Sequence, residues 1–568
     1  MAAYFRINIS DLKDHFGAGK DRNKKPAPKL TWKQQIISIL IALVFAAVYF
    51  YFALPALNFQ SLDLYVFILL TLVVYLLAGL FVGGVLRGGS SFTAHAKKSG
   101  KVALIVGGAI LAVLLVNAVI SLPLFRAGSY ANILVPQTRE FSTDVAEISF
   151  DQIPMLDADS AARLGDRKMG ELSDLVSQFE VSDDYAQINY RDRPTRVTYL
   201  EYGDFFKWIN NRSAGLPAYI AIDMVTQEVT VQRLAEGMKY SPSDMFGRDL
   251  MRKLRFTYPT AMFGEVNFEI NEEGEPYWIA SVLTKRIGLF QGQDIKGAVL
   301  LNALSGESHY YDVADVPQWV DRVYSADLIM QQYDYHGTYQ GGFFNSLFGQ
   351  RGVTVTTDGY NYIALDDDVW LYTGVTSVAG DESNVGFLLV NQRTGEPRYY
   401  VCPGATEYSA RKSAEGAVQH LAYNSTFPLL LNISGEPTYF ISLKDASNLV
   451  KMYAMVNVGQ YQTVATGATV QECQQKYEQL LQSIHLGEQT DNPTPETATA
   501  QGKIADIRSA VLEGNTYYYI QLTNQPTWYR ISASACPLAV IASVDDRVSI
   551  TYRTGEGEIL EATEMTCK

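Results

Sequence analysis

Apolar residues are distributed very unevenly along this chain. Three runs in its first quarter, Ile36–Leu57, Leu62–Leu86 and Val102–Phe125, are hydrophobic almost throughout. Each reaches the roughly 20 residues that cross a ~30 Å hydrocarbon layer as a helix, so the pattern predicts a three-helix membrane anchor over residues 34–125. No Asp, Glu, Lys, Arg or His lies inside the runs; Asp63 sits at an edge and Asn117 is the main polar residue of the third. Coupled transporters place ionisable groups at mid-membrane, and their absence from the runs argues for an anchor. Gly79 and Gly83, extended by Gly84, set small residues four apart, a spacing that allows close helix approach. Packing among the three spans is the expected use, with a homo-oligomer as the second.

Beyond Asp159 the pattern changes to alternation and repeats at a period of about 75 to 80 residues as far as Ser483. Each unit reads as an amphipathic helix, an apolar strand, a tight turn, a return strand, a polar loop and a last hairpin. The helices are expected at Ser160–Gln178, Ser243–Arg255, Val316–Gln332, Thr406–Ala422 and Thr469–Ser483, the last capping the array. In Thr406–Ala422 the apolar positions Ala410, Ala414, Ala417, Val418 and Leu421 share one face. The last hairpins echo one another: Ile222-Asp223-Met224-Val225-Thr226-Gln227-Glu228, Leu301-Asn302-Ala303-Leu304-Ser305-Gly306-Glu307 and Val390-Asn391-Gln392-Arg393-Thr394-Gly395-Glu396, with Asn457 opening a degraded fourth copy. An Asp or Asn there accepts hydrogen bonds from backbone N–H groups two or three residues on, and glycine supplies the positive φ.

This strand and D-x-x-T-G-E-like turn resemble PepSY-type modules, with Asn replacing Asp in three of the four units. The resemblance implies tandem helix-plus-antiparallel-sheet modules at 159–258, 259–336, 353–424 and 425–485. It also implies a non-catalytic binding or regulatory role of the kind found beside peptidases and in bacterial envelope proteins. The whole arrangement resembles uncharacterised multi-span membrane proteins of Gram-positive bacteria.

Two segments stand outside the repeat. Residues 126–158 connect the anchor to the first module. Residues 337–352 form an aromatic insert with Phe343, Phe344 and Phe348, expected either to pack into a neighbouring unit or to touch a partner or the membrane. After a Pro- and Thr-rich linker at 486–501, residues 502–568 read as five short strands of a small barrel, similar to an OB-fold. The expected fold class is thus membrane-anchored α+β: three transmembrane helices, PepSY-like modules and an all-β barrel.

Charge fixes the orientation. Residues 1–101 hold 12 Lys and Arg against 4 Asp and Glu, while the remainder holds 34 against 56. The segment before the first span, including the basic tail 1–33, and the loop before the third carry the basic residues, and the loop Asn58–Asp63 carries none. By the positive-inside rule the N-terminus is cytoplasmic and everything after about residue 125 is extracytoplasmic. An acidic exterior excludes a general nucleic-acid binder; Tyr517, Tyr518, Tyr519 and Trp528 of the barrel have too few basic neighbours to track a phosphate backbone. The four cysteines fall in pairs by domain, Cys402 with Cys473 and Cys536 with Cys567, and are disulfide candidates, with free thiols as the alternative.

Catalytic patterns are sparse. Ser409-Ala410-Arg411-Lys412 fits S-x-x-K but lacks the downstream partners of that motif. The acidic turn Asp366-Asp367-Asp368 lacks calcium-loop spacing and reads as solvated. The six His and four Cys show no metal spacing, so no catalytic residue, metal or cofactor is expected. The sequence therefore points to a non-catalytic, membrane-anchored binding or scaffolding protein in envelope assembly or peptidase control, acting on an envelope protein or peptide. The alternatives are an envelope hydrolase and an accessory subunit of a transport complex.

Overall fold

The computed structural model describes residues 32–82, 92–147, 153–365, 367–378, 380–488, 497–512, 515–532, 536–540, 542–553, 557 and 559–567. These divide into two compact units, 1–477 and 478–568. Helices α1 (Trp32–Ala53) and α2 (Leu62–Val82) are each long and apolar enough to cross a membrane. Ser38 and Ala42 on one and Ala78 and Gly79 on the other are buried, and Tyr49 of α1 stacks on Phe67 of α2. Gly83 lies outside the described residues.

The third apolar run departs from a straight span. Helix α3 (Phe92–Ile120) is followed by α4 (Pro123–Ala131) at a bend of 67°. Pro123 opens α4 and has no N–H to continue the hydrogen-bond ladder. Side chains placed at Gly107 and Gly108 would meet nothing, so close approach there is not required.

After a short strand β1 (Gln137–Arg139) and a single turn α5 (Phe141–Asp144), a helix followed by antiparallel strands recurs four times. Helix α6 (Ala158–Gly170) precedes β2 (Phe179–Val181), β3 (Ala186–Tyr190), β4 (Arg193–Tyr202) and, after helix α7 (Phe205–Asn211), β5 (Leu216–Asp223) and β6 (Val229–Met238). Helix α8 (Leu250–Thr257) precedes β7 (Met262–Ile270), β8 (Pro276–Ile287), β9 (Gln291–Asn302) and β10 (Ser308–Asp312). Helix α9 (Ala326–Tyr339) precedes β11 (Thr354–Thr356), β12 (Asn361–Leu365), β13 (Asp368–Ser377), β14 (Gly380–Asn391) and β15 (Pro397–Ala405), and β1 joins β15 in parallel. Helix α10 (Glu407–Ala417) precedes β16 (Asn424–Ser425), β17 (Leu429–Ile433), β18 (Glu436–Lys444), β19 (Val450–Asn457) and β20 (Val464–Gly467).

The expected Asx turns are present in each sheet. Asp223 Oδ1 accepts from Val225 and Thr226 N–H, Asn302 Oδ1 from Leu304 and Ser305, Asn391 Oδ1 from Arg393 and Thr394, and Asn457 Oδ1 from Gln460, all at 2.8–3.0 Å. The next residue ties each turn to the start of the sheet's central strand: Met224, Ala303, Gln392 and Val458 donate to the carbonyls of Pro194, Pro276, Val369 and Pro437. Their own carbonyls accept from Met155, Tyr240, Tyr324 and Ala405, which lie just before the four helices.

Several helix expectations need correction. The helix expected at Ser160–Gln178 ends at Gly170, and that expected at Thr406–Ala422 ends at Ala417 and gives way to a 3-10 turn at Gln419–Leu421. Residues 316–325 are not helical, because the backbone N–H groups of Asp321 and Arg322 bond to the buried Glu269 carboxylate. Helix α8 starts at Leu250, not at Ser243, with Asp249 capping Arg252 N–H. On α10, Ala410, Ala414 and Val418 are buried, whereas Ala417 and Leu421 are exposed. The last helix, α11 (Val470–Glu488), buries Cys473 and Tyr477, and the Tyr477 and Thr438 hydroxyls lie 2.9 Å apart, so it covers the fourth sheet.

The sheets close into a circuit. Tyr199 of the first stacks against Phe268 and Trp278 of the second. Ile279 and Leu300 share a core with Leu371 and Val390 of the third. Phe387 of the third meets Tyr439 of the fourth at 5.9 Å. The fourth returns to the first through the Lys444–Asp157 ion pair and Arg163, which donates to Ser447 O. The second unit is a closed five-stranded barrel, β21 (Thr497–Leu512), β22 (Asn515–Leu522), β23 (Trp528–Ser532), β24 (Arg547–Arg553) and β25 (Ile559–Cys567), ordered β21-β22-β23-β25-β24. It encloses Ile504, Ile520, Ile531, Val548 and Ile550.

Candidate functional site

Where the first, third and fourth sheets meet the connector 154–158, they form a half-open cavity of about 420 Å³. Met155, Leu156, Phe427, Leu429 and Phe440 supply apolar wall, and Gln187, Asn361, Thr426 and Ser442 supply polar groups. Two guanidinium groups complete the lining, Arg196 and Arg322.

Arg196 is 7% exposed, on the central strand β4. Its N–H groups donate at 3.3–3.5 Å to Leu156 O, Tyr185 O and Gln187 Oε1, contacts at the long end of hydrogen bonding. Among the described residues it forms no ion pair. Burial, together with the like charge of Arg322, holds its pKa down to about 10. Arg322 donates to Glu265 Oε1 at 3.2 Å and to the Tyr362 hydroxyl at 3.3 Å, and stacks over the Tyr362 ring. Its buried Nε has no hydrogen-bond partner. Asp157 at the rim is engaged by Lys444 and caps α6 by accepting from Ser160 N–H. Asp184, in the field of Arg322, is raised by burial.

Behind the cavity lies an acidic hub. Asn189 N–H donates to Asp321 Oδ2 at 2.7 Å and its side chain donates to Asp367 Oδ1. Asp321 and Arg322 N–H groups both donate to Glu269. Burial raises both Glu269 and Asp321, and each sits in the other's field. Asp368 binds Arg393 through two N–H groups at 2.7 and 2.8 Å. The acidic turn is solvated only in part: Asp367 is exposed while bonded to Asn189 and Gln318, Asp368 is buried against Arg393, and Asp366 lies outside the described residues. Among the described residues no group of His, Cys, Asp or Glu is arranged to hold a metal.

The expected site residues are dispersed. Cys402 on β15 and Cys473 on α11 are not bonded to each other; the Cys473 thiol points to Ala465 O at 3.4 Å, so that expected disulfide is corrected to two free thiols. Cys536 faces Met565 O at 3.6 Å, and the Cys567 side chain lies outside the described residues. Ser409 is bound up with Thr406 in the N-cap of α10, and Lys412 donates to Glu415 Oε2 at 2.9 Å. That partner raises the lysine's pKa, the opposite of what a general base requires. In the insert, Phe343 is half-buried, while Phe344, Leu347 and Phe348 are exposed, Phe348 to 81%. In the barrel, Arg508 lies over Trp528 and Arg530 over Tyr517, each with its own carboxylate partner.

Sequence reading missed Arg196 and Arg322. The available signal was a lone arginine within the apolar return strand Val197-Thr198-Tyr199-Leu200; nothing local marks Arg322, whose site is assembled from distant segments.

No family model matches the chain, and no curated protein matches it. Among solved structures, one similar chain is named as an exo-beta-1,3-galactanase from Bifidobacterium bifidum s17. It has 9% identity and a TM-score of 0.16 over 52% of this chain and 72% of that one. A likeness at that level carries no argument about activity.

Proposed function

We propose that this protein is a membrane-anchored, extracytoplasmic binding or scaffolding protein. In this reading the four sheets are PepSY-like repeats of one module, the barrel is OB-like, and the third apolar run spans the membrane as a bent pair. The observation that carries the reading is the cavity: sheets far apart in sequence converge on a lined, partly open space.

The anchor is joined rigidly to the second sheet. Leu57 N–H donates to Pro259 O, Asn58 to Thr260 O and Gln60 to Lys285 O. Arg252 and Arg255 donate to the carbonyls of Tyr51 and Leu54 at the end of α1. From the end of the third run, Asn117 Oδ1 accepts from Leu289 N–H at 2.6 Å. A Cβ at Gly288 would lie 2.3 Å from Asn117 Oδ1 and from Ser121 Oγ. Such fastening suits a part that must hold its cavity at a set height above the bilayer. The aromatic insert belongs to the same surface: Tyr335 and Tyr339 of α9 pack on Tyr130 of α4, and the insert follows directly.

Orientation is the test. A tag after Lys568 and a cysteine introduced at exposed Arg191 should both be reached by impermeant reagents on intact cells. Access to either only after lysis rejects the reading.

A further inference from the structure

We propose that the cavity between the first, third and fourth sheets binds a monoanion, a carboxylate carried on an apolar body, with Arg196 as its counterion. The inference deepens the binding function proposed above and rests on it. Three observations converge on this ligand class.

First, one of the cations lining the cavity has no direct ion pair among the described residues. Lys444 is taken by Asp157 and Arg322 by Glu265, whereas among the described residues no carboxylate pairs directly with Arg196, which feels Asp157 and Asp159 only through their fields. A buried charge without a partner is costly, and a bound anion removes that cost. Second, the donors are in place. Arg196 makes only long contacts to carbonyl-type oxygens, and the buried Nε of Arg322 is unpartnered. A guanidinium fork matches the two oxygens of a carboxylate. Third, part of the wall is an apolar patch, from Met155, Leu156, Phe427, Leu429 and Phe440, which would accept an aliphatic or aromatic body beside the polar groups. The volume suits a small ligand rather than a folded partner. A singly charged carboxylate suits the one guanidinium that lacks a direct ion pair among the described residues, and the nearby carboxylates Asp157, Asp159 and Asp184 disfavour a doubly charged phosphate.

The experiment uses the full chain in detergent micelles, titrated calorimetrically with N-acetyl-leucine, N-acetyl-leucinamide and inorganic phosphate. The acid should bind, and the amide, which has the same body without the charge, should bind at least about tenfold more weakly. Arg196→Gln should abolish binding of the acid. Arg196→Lys keeps the charge but loses the fork, should weaken binding about tenfold, and serves as the test where the glutamine variant fails to fold. Absence of heat with N-acetyl-leucine, equal binding of acid and amide, phosphate binding more tightly than the acid, or unchanged affinity in either arginine variant would overturn the proposal. Membrane orientation does not enter this assay, so its failure rejects the ligand class and leaves the scaffold reading to the accessibility measurement.

Discussion

At the scale of single residues, the four Asx turns explain both what recurs and what does not. Gly306 and Gly395 hold φ values of +73° and +75°, and a Cβ at either would enter the ring of Tyr240 or Tyr324 at 2.3 or 2.6 Å. Two constraints act together there, so Gly395→Ala should cost about 2 kcal/mol or more in denaturant melts. The first sheet has Gln227 at the matching place, at φ +60° and half-buried. Because a non-glycine residue is strained at that φ, Gln227→Gly should raise stability by about 0.5 kcal/mol. Asp244 shows a different burden. Trp208 Nε1 and Ser241 Oγ both donate to it, yet burial lifts its carboxyl to about 6. The folded state then holds this proton more tightly than the unfolded chain, whose value is about 3.9. Its contribution is complete below about pH 4 and declines as the pH rises through 6. Asp244→Asn should flatten that part of the stability-pH curve and stabilise the protein above pH 7, by roughly 3 kcal/mol at most. The turn chemistry was legible in the sequence because its signal is local; the Asp244 shift was not, because it depends on what covers the residue.

At the scale of elements, amphipathic periodicity located the helices and alternation located the strands. The errors fall where a tertiary partner claims backbone groups. Val316–Tyr324 has helical composition, but Glu269 takes two of its N–H groups and the helix waits until Ala326. The third apolar run is broken at Pro123, where its end docks on the 288–289 turn. The aromatic insert answers a question that composition left open. Phe344, Leu347 and Phe348 face outward, so the insert does not pack these side chains into a neighbouring sheet. Phe344→Ser with Phe348→Ser should therefore leave the melting temperature nearly unchanged, within about 0.5 kcal/mol of stability. The proposed seat on the bilayer further predicts that Phe348→Trp, in nanodiscs, is quenched by brominated lipids. An unquenched, water-exposed emission counts against membrane contact.

At the scale of the whole molecule, the sheets form a closed circuit where the repeat pattern suggested an open stack. The connector makes this closure. β1 pairs with β15, Asn432 donates to Val145 O, Ser434 N–H donates to Glu147, and Asp157 meets Lys444. Lys444 is nearly buried and Asp157 about one-third exposed. Asp157→Asn should cost about 2 kcal/mol, because it strands an ammonium and weakens the cap of α6. The carboxyl of Asp157 is lowered despite its burial, chiefly by Lys444 and Ser160. Its contribution is thus present above pH ~4 and lost as the pH falls through its folded value, the reverse of Asp244. Thermal melts of the variant from pH 3 to 8 would separate the two.

The sequence alone determined the apolar helices, the recurring hairpins with their Asx geometry, and the five-stranded barrel. All of these depend on neighbours within a few residues or on periodicity along one element. Only the tertiary structure decided that Arg196 and Arg322 share a cavity, that Cys402 and Cys473 remain apart, and that Glu269, Asp321 and Asp367 converge. These are relations between residues tens to hundreds of positions apart. They exist only because the ring of sheets closes, and no local pattern of polar and apolar residues encodes where two remote side chains will meet.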